Sequence, residues 1–189
     1  MMVCRFLTGN EKVLEIGGNI GRNSLIIASI LKSNDFVSLE CDKNIAAQLK
    51  QNRDANGFGG FHIENAALSN RKLVQKGWDT IPSETEYDGY TFIQTIRLAE
   101  LRLKYAIAFD TLVLDCEGAF YYILQDMPDI LERIELIIME NDYHDIKHKE
   151  FVDETLRRNN FAVIYTEAGG WGPCQERFFE VWKRKTNVH

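Results

Sequence analysis

Short apolar runs alternate with longer amphipathic segments along most of this chain. Five runs have the length and composition of buried strands, namely residues 12–16, 36–40, 61–68, 109–116 and 134–141. The last two are apolar almost throughout, which is typical of central strands in a parallel sheet. Two more strands are predicted at residues 161–167 and 177–183, joined by a glycine-rich loop.

Segments with helical periodicity lie between these strands. They cover residues 42–56, 94–104, 118–131 and 147–159, and a further helix runs from a glycine-rich turn to about residue 31. Asp42 stands at the N-cap of its helix, and Gly57 stops that helix. Residues 69–91 are polar and are predicted to be irregular with a short hairpin. The alternation predicts an α/β fold with an open, mostly parallel sheet, in which ligands bind beyond the carboxyl ends of the strands.

The length and the net charge of the chain limit the number of domains and the kinds of partner that we expect. The chain has 189 residues, and we expect one domain spanning residues 1–189. Its net charge of -6 and pI near 5.3 give no general attraction for phosphate backbones or anionic membranes. We therefore expect neither nucleic acid nor a membrane as partner. Because the first predicted strand begins at residue 12, we expect a neighbouring domain of a longer protein, or a second copy in a homo-oligomer, to help cover the ligand site at the carboxyl ends of the strands.

The cysteines and the apolar runs bear on localisation. The four cysteines are far apart in the chain and form no close pair of the kind used by zinc sites or dithiol redox motifs. The longest apolar run, residues 25–31, is far shorter than a membrane span. These features predict a soluble, cytoplasmic protein with reduced thiols.

The stretch VLEIGGNIGRNSL, residues 13–25, carries the first candidate chemistry. Gly17, Gly18 and Gly21 match neither the G-x-G-x-x-G of dinucleotide enzymes nor a P-loop. Glu15 would repel a pyrophosphate but favour a cationic ligand. Glu40 ends the second strand, where a carboxylate can accept both hydroxyls of a ribose. An adenosine ligand with positive charge and no phosphate is S-adenosylmethionine. The alternative for the glycines is a plain strand-to-helix turn, and the alternative for Glu40 is a solvated carboxylate at a strand end.

The chain also resembles a known family. The motifs VLEIGGNIGRNSL, SLECDKNIAAQLKQN, NAALSN, LVLDCEGAFYYIL and IIMEN are similar to successive motifs of FkbM-type S-adenosylmethionine-dependent methyltransferases. The resemblance covers about residues 12–161. It implies a Rossmann-like class I methyltransferase fold: a seven-stranded, mostly parallel sheet with helices on both faces and an antiparallel last strand. It also implies methyl transfer to a hydroxyl, often of a sugar or a glycosylated product.

The resemblance assigns cofactor contacts by position. Glu40 would hold the ribose, and Asp115 would contact the cofactor as well as take part in the reaction. The methionine part would be lined by Glu15, Gly17, Gly18, Asn19 and Gly21, and the adenine by Cys41, Asn65 and Ala66.

Polar residues that follow two central strands suggest the transfer chemistry. Asp115 ends the fourth strand, and Glu140 and Asn141 end the fifth, so these side chains are expected to meet at one edge of the sheet. Carboxylate and amide oxygens suit a hard cation, and the set is similar to that of magnesium-dependent catechol-type O-methyltransferases. We therefore predict Asp115, Glu140 and Asn141 as ligands of Mg²⁺ or another divalent cation. The alternative for Asp115 is a helix cap.

Four further residues are candidates for acceptor binding or proton transfer. Glu117 and His144 are predicted, with Asp115, to be catalytic, because each can accept a proton from a hydroxyl. Glu117, His144, Asp142 and Trp171 are predicted to contact the acceptor, with Trp171 stacking on a sugar face. The alternatives are a first-turn acid for Glu117, a solvated loop histidine for His144 and a loop-packing role for Trp171.

The sequence therefore predicts an S-adenosylmethionine-dependent O-methyltransferase that acts on a hydroxyl of a sugar or glycan, activated either by a general base or by a divalent metal. Three alternatives stay open. The acceptor can be another small molecule or a protein side chain, or the domain can be a non-catalytic binding module. A nicotinamide oxidoreductase on a similar sheet is disfavoured by Glu15 and by the glycine spacing.

Overall fold

The computed structural model describes residues 2–186, which form strands and helices in alternation. The helices and the first strands, in chain order, are α1 (Val3–Phe6), β1 (Val13–Ile16), α2 (Arg22–Ile30), β2 (Phe36–Leu39), α3 (Lys43–Ala55), β3 (His62–Glu64), β4 (Ala67–Leu68), β5 (Leu73–Lys76), β6 (Asp79–Pro82), β7 (Thr91–Ile93) and β8 (Thr95–Ile96). The remaining elements are α4 (Leu98–Tyr105), β9 (Thr111–Leu114), α5 (Phe120–Asp126), β10 (Leu136–Glu140), α6 (Ile146–Arg158), β11 (Phe161–Glu167) and β12 (Phe179–Arg184). Two 3₁₀ helices, Pro128–Leu131 and Gly172–Arg177, lie between them.

Seven strands form the central sheet in the order β11, β12, β10, β9, β1, β2, β3. β12 is antiparallel to both of its neighbours, and the other pairs are parallel. This arrangement confirms the predicted mostly parallel sheet with an antiparallel last strand.

Side chains alternate between two apolar layers, one on each face of the sheet. Leu14 and Ile16 of β1 pack into a core that includes residues of α4, α5 and α6. Val13 faces the opposite way, into a core that includes Ile27 of α2 and Leu49 of α3. Period-2 alternation along the strands therefore buries both faces, as expected for a parallel sheet covered by helices.

The helix after β2 begins as the sequence predicts. The Asp42 carboxylate accepts hydrogen bonds from the N–H groups of Asn44 and Ile45, which satisfies two of the free donors at the start of α3. Because this cap is fixed, the residues just before it are held close to the end of β2.

The third predicted strand, residues 61–68, is wrong as a single element. β3 ends at Glu64, and β4 turns away to pair in parallel with β8 in a separate two-stranded sheet. Because β8 takes residues from the predicted helix 94–104, that helix begins only at Leu98. Local patterning missed this pairing, since its two strands lie about thirty residues apart in the chain.

The polar segment 69–91 contains the predicted hairpin and one strand more. β5 pairs with β6 and with β7, both antiparallel, in a small three-stranded sheet. We call residues 69–97 the insertion, because they interrupt the alternation of strands and helices between β3 and α4. No helix among the described residues has the length and apolar character needed to cross a membrane.

Candidate functional site

Four residues stand in a row at the carboxyl edge of the central sheet. β2, β1, β9 and β10 pair in parallel register, so the residues that follow their last paired positions lie side by side. In order across the sheet these residues are Glu40, Gly17, Asp115 and Glu140. The structure thus brings together three carboxylates that the sequence assigned to the cofactor or to the reaction, with a glycine between them.

The glycines of the turn after β1 are required by close backbone contacts. A Cβ on Gly17, whose φ is +91°, would lie 1.6 Å from the carbonyl oxygen of Asp115. A Cβ on Gly18 would lie 2.2 Å from the Ser38 hydroxyl. Asn19 has a φ of +47°, which is unusual for a residue with a side chain. The turn is therefore shaped by its fit against β9 and β2.

Glu15 lies beneath this turn rather than on its surface. Its side chain is 1% exposed, and its Oε2 accepts hydrogen bonds from the hydroxyls of Ser24 at 2.5 Å and Ser38 at 2.6 Å. Its Oε1 is buried with no hydrogen-bond partner among the described residues. Burial, with the charges of Asp115 and Glu40, raises the pKa of Glu15 to about 7. The sequence analysis assigned no role to either serine, although Ser24 lies in the motif VLEIGGNIGRNSL and Ser38 begins the motif SLECDKNIAAQLKQN.

Glu40 ties the glycine turn to the start of α3. Its Oε2 accepts the N–H of Asn19 at 2.8 Å, and its Oε1 accepts the N–H of Asp42 at 2.9 Å. The residue is 5% exposed, and burial raises its pKa. Each carboxylate oxygen has a second lone pair, so Glu40 can also accept hydrogen bonds from the hydroxyls of a ribose.

The predicted adenine side is organised by an amide and a thiol. The Asn65 amide nitrogen donates to the carbonyl oxygens of Glu40 and Cys41, which fixes the end of β2. Gln75 of β5 donates to the Cys41 sulfur at 3.3 Å, and burial raises the pKa of that thiol to about 11. The insertion therefore covers this side of the site, a contact that the sequence did not predict. Ala66 is 3% exposed and packs in the apolar core.

Two further carboxylates lie near the same edge: Glu117 in the turn after β9, and Asp142 just after β10. Asp142 accepts hydrogen bonds from the N–H groups of Glu117 and Gly118, so both of its oxygens bind this turn. Burial raises the pKa of Asp115 to about 6 and the pKa of Glu140 to about 7, and neighbouring carboxylates add to both shifts. In the described part of the chain no Lys, Arg or His forms an ion pair with the carboxylates of Asp115, Glu117, Glu140 and Asp142. The region is therefore strongly electronegative.

The predicted metal ligands fit a hard cation in their chemistry. Asp115 and Glu140 are unneutralised carboxylates whose charges interact. The Asn141 Nδ2 donates to the carbonyl of Arg177, while its Oδ1 is buried without a partner among the described residues. Residues 2–186 contain no group of three His, Cys, Asp or Glu side chains that could hold a metal. The magnesium site stays a prediction.

His144 and Trp171 come together beyond the ends of β10 and β11. Their ring centroids lie 4.7 Å apart, and the Trp171 side chain is 44% exposed. The two predicted acceptor residues thus share one exposed surface, although the loops that carry them are separate in the chain.

Comparison with solved structures agrees with this sheet. The chain is similar to the ribosomal protein L11 methylase of Lactobacillus delbrueckii subsp. bulgaricus, with a TM-score of 0.61 and 12% identity over 97% of this chain and 75% of that one. It is similar to magnesium protoporphyrin IX methyltransferase from Synechocystis PCC 6803, solved with bound S-adenosylmethionine, with a TM-score of 0.58 and 11% identity over 97% and 74%. The fold is that of class I methyltransferases. An rRNA methylase from Streptococcus thermophilus shares it, with a TM-score of 0.58 and 11% identity over 97% and 92% of the chains.

At sequence identities of 11–12%, the structural similarity shows the class I methyltransferase fold but not the substrate. No protein-family profile matches this chain, and no curated protein matches it significantly. The similar structures belong to methyltransferases of several kinds, and none of them points to the FkbM type in particular.

Proposed function

We propose that this protein is an S-adenosylmethionine-dependent O-methyltransferase whose acceptor is a hydroxyl of a sugar or glycan. The observation that carries the proposal is the row of Glu40, Gly17 and Asp115 at the carboxyl edge of a class I methyltransferase sheet. The resemblance of the sequence motifs to FkbM-type methyltransferases supports the choice of acceptor.

The glycine turn and Glu40 form the proposed binding site for the cofactor. Glu40 is held by two backbone N–H groups, so its orientation is set before a ribose arrives. The methionine part would lie against the backbone of this turn, whose left-handed conformation its glycines allow. The buried Glu15 contributes negative potential beneath a ligand that carries a sulfonium and an ammonium, and pyrophosphate ligands are disfavoured there for the same reason.

Asp115 is the proposed general base. In the transfer, the acceptor oxygen bonds to the methyl carbon while the carbon–sulfur bond breaks, giving a methyl ether and S-adenosylhomocysteine. The hydroxyl proton passes to the Asp115 carboxylate. A pKa of about 6 suits this step, because the group is largely ionised at neutral pH yet basic enough to take a proton.

The electronegative surroundings favour a neutral acceptor over an anionic one. None of Asp115, Glu117, Glu140 and Asp142 has a cationic partner among the described residues, so phosphate groups would be repelled. The exposed Trp171 ring beside His144 offers an aromatic face for the apolar side of a sugar. These features favour polyhydroxylated acceptors over RNA.

Labelled methyl transfer to a panel of oligosaccharides tests the proposal. We expect mass spectrometry to detect a methyl ether and S-adenosylhomocysteine. D115N should lower the rate at least about a hundredfold, because it removes a general base. D129N is the matched control, since Asp129 lies outside the site and pairs with Arg102. Methylation of RNA or protein instead of sugars, or full activity of D115N, would contradict the proposal.

A divalent metal held by Asp115, Glu140 and Asn141 would lower the pKa of a coordinated hydroxyl. This metal requirement predicts that excess EDTA stops turnover and that added Mg²⁺ restores it. Turnover is measured as S-adenosylhomocysteine formation, with binding of S-adenosylmethionine followed in parallel. Full activity in EDTA would contradict the metal requirement but not the proposed cofactor site.

A further inference from the structure

The turn after β9 holds a residue in an unfavourable backbone conformation. Glu117 has a φ of +50°, and Gly118 follows with +77°. Glycine adopts this left-handed region freely, whereas a glutamate there is strained. Such a conformation persists only where neighbouring contacts hold it.

Asp142 supplies those contacts from the neighbouring strand. Its Oδ2 accepts the N–H of Glu117 at 2.6 Å, and its Oδ1 accepts the N–H of Gly118 at 2.8 Å. Asp142 is 4% exposed, so these charge-assisted bonds lie in a region of low dielectric. Two consecutive amides around one carboxylate form an anion-binding concavity of the kind that left-handed turns provide.

Glu117 lies two residues after Asp115, in the turn at the carboxyl edge of the sheet where Asp115 and Glu140 stand side by side. The charge of Glu117 raises the pKa of Asp115, of Glu140 and of Asp142 itself. Glu117 is otherwise exposed and forms no ion pair with another described residue. The exposed Glu117 side chain therefore stands at the same edge of the sheet as Asp115 and remains available to a ligand.

We propose that Asp142 is a positioning residue: by binding the backbone of Glu117 and Gly118, it sets the Glu117 carboxylate beside the transferring methyl group. This inference rests on the proposed function, because it places the methyl donor at Asp115. It gives Asp142 a role beyond the acceptor contact predicted from the sequence, because each of its oxygens binds an amide of the turn. Glu117 then meets the ligand directly, and Asp142 acts through it.

Two cofactor analogues test this inference without knowledge of the acceptor. Sinefungin carries an amino group on a carbon that replaces the methylated sulfur, whereas S-adenosylhomocysteine has no group at that place. A carboxylate beside the methyl position should make sinefungin bind more tightly, on the order of tenfold. The ratio of the two dissociation constants, measured by calorimetry, reports the placement of Glu117.

E117Q and D142N should each reduce this ratio several-fold. The double variant should lose no more than E117Q alone, because the two residues act in series. D145N is the matched control: Asp145 also accepts a backbone N–H, from Lys147, but at the exposed start of α6. D145N should keep the wild-type ratio.

A purely structural Asp142 would weaken both analogues by the same factor in D142N, and that result would overturn the inference while leaving the proposed function standing. Additive losses in the double variant would overturn it too. If the wild-type protein bound neither analogue, the proposed function would fail and the inference with it.

Hydrogen exchange of the wild-type protein keeps the inference testable if D142N does not fold. The Glu117 and Gly118 amides should exchange at least tenfold more slowly than that of Gly89 in an exposed turn of the insertion. Equal rates would show that Asp142 does not hold the turn.

Discussion

Single carboxylates determine much of the candidate site. Glu40, Glu15 and Asp142 each accept two hydrogen bonds from other parts of the chain, and each is nearly inaccessible to solvent. Acidic residues are seldom buried unless they are bonded in this way. Burial raises the pKa of all three because little positive charge surrounds them.

Replacing Glu40 by alanine should lower S-adenosylmethionine affinity at least tenfold. The change removes the proposed acceptor for the ribose hydroxyls and releases the amides of Asn19 and Asp42. Calorimetric titration measures the effect. E64A is the control, since Glu64 also ends a strand but bonds to Lys104 and Tyr105. Unchanged affinity in E40A would refute the ribose assignment.

Glu15 should make the protein less stable as pH rises towards neutrality. Its pKa is about 7 in the folded state and near 4.5 when unfolded, so the folded state binds more protons between these values. The free energy of unfolding must then fall as pH increases from about 5 to about 7. In E15Q this fall should be smaller, by on the order of 1 kcal/mol. Urea unfolding at several pH values measures it, and identical slopes in the two proteins would argue against a buried, protonatable Glu15.

Among the elements, the turn from β1 to α2 is the one most constrained by its neighbours. It contacts the end of β9 through Gly17 and the Ser38 side chain of β2 through Gly18. Its own sequence shows the glycines, but the reason for them lies in strands that are distant along the chain. A nucleotide-binding turn and a plain connection therefore look alike in the sequence, and the carboxylates around the turn support the proposed cofactor site.

Substituting Gly17 by alanine should destabilise the protein by more than about 3 kcal/mol. The new Cβ would overlap the Asp115 carbonyl, and the φ of +91° would be strained as well. G57A separates the two causes, because Gly57 has a φ of +75° but nothing within 4 Å of its Cβ. That variant should lose only about 1 kcal/mol. Denaturant unfolding compares them, and equal losses would contradict the close contact.

On the scale of the whole molecule, the sequence predicted the central sheet better than the contacts between its parts. The buried strands and Asp42 follow from local patterns, so Glu40 and Asp115 could be placed at strand ends without coordinates. Ser24, Ser38 and Gln75 were missed, because their contacts with Glu15 and Cys41 join segments far apart in the chain. The split of residues 61–68 was missed for the same reason, since β4 pairs with a strand in the insertion.

Binding of S-adenosylmethionine by the wild-type protein tests the central claim most directly. The account predicts saturable binding at one site by calorimetry, together with no detectable binding of NAD⁺, because the buried Glu15 and the glycine spacing disfavour a pyrophosphate. Absence of S-adenosylmethionine binding at millimolar concentration, or tighter binding of NAD⁺, would contradict it.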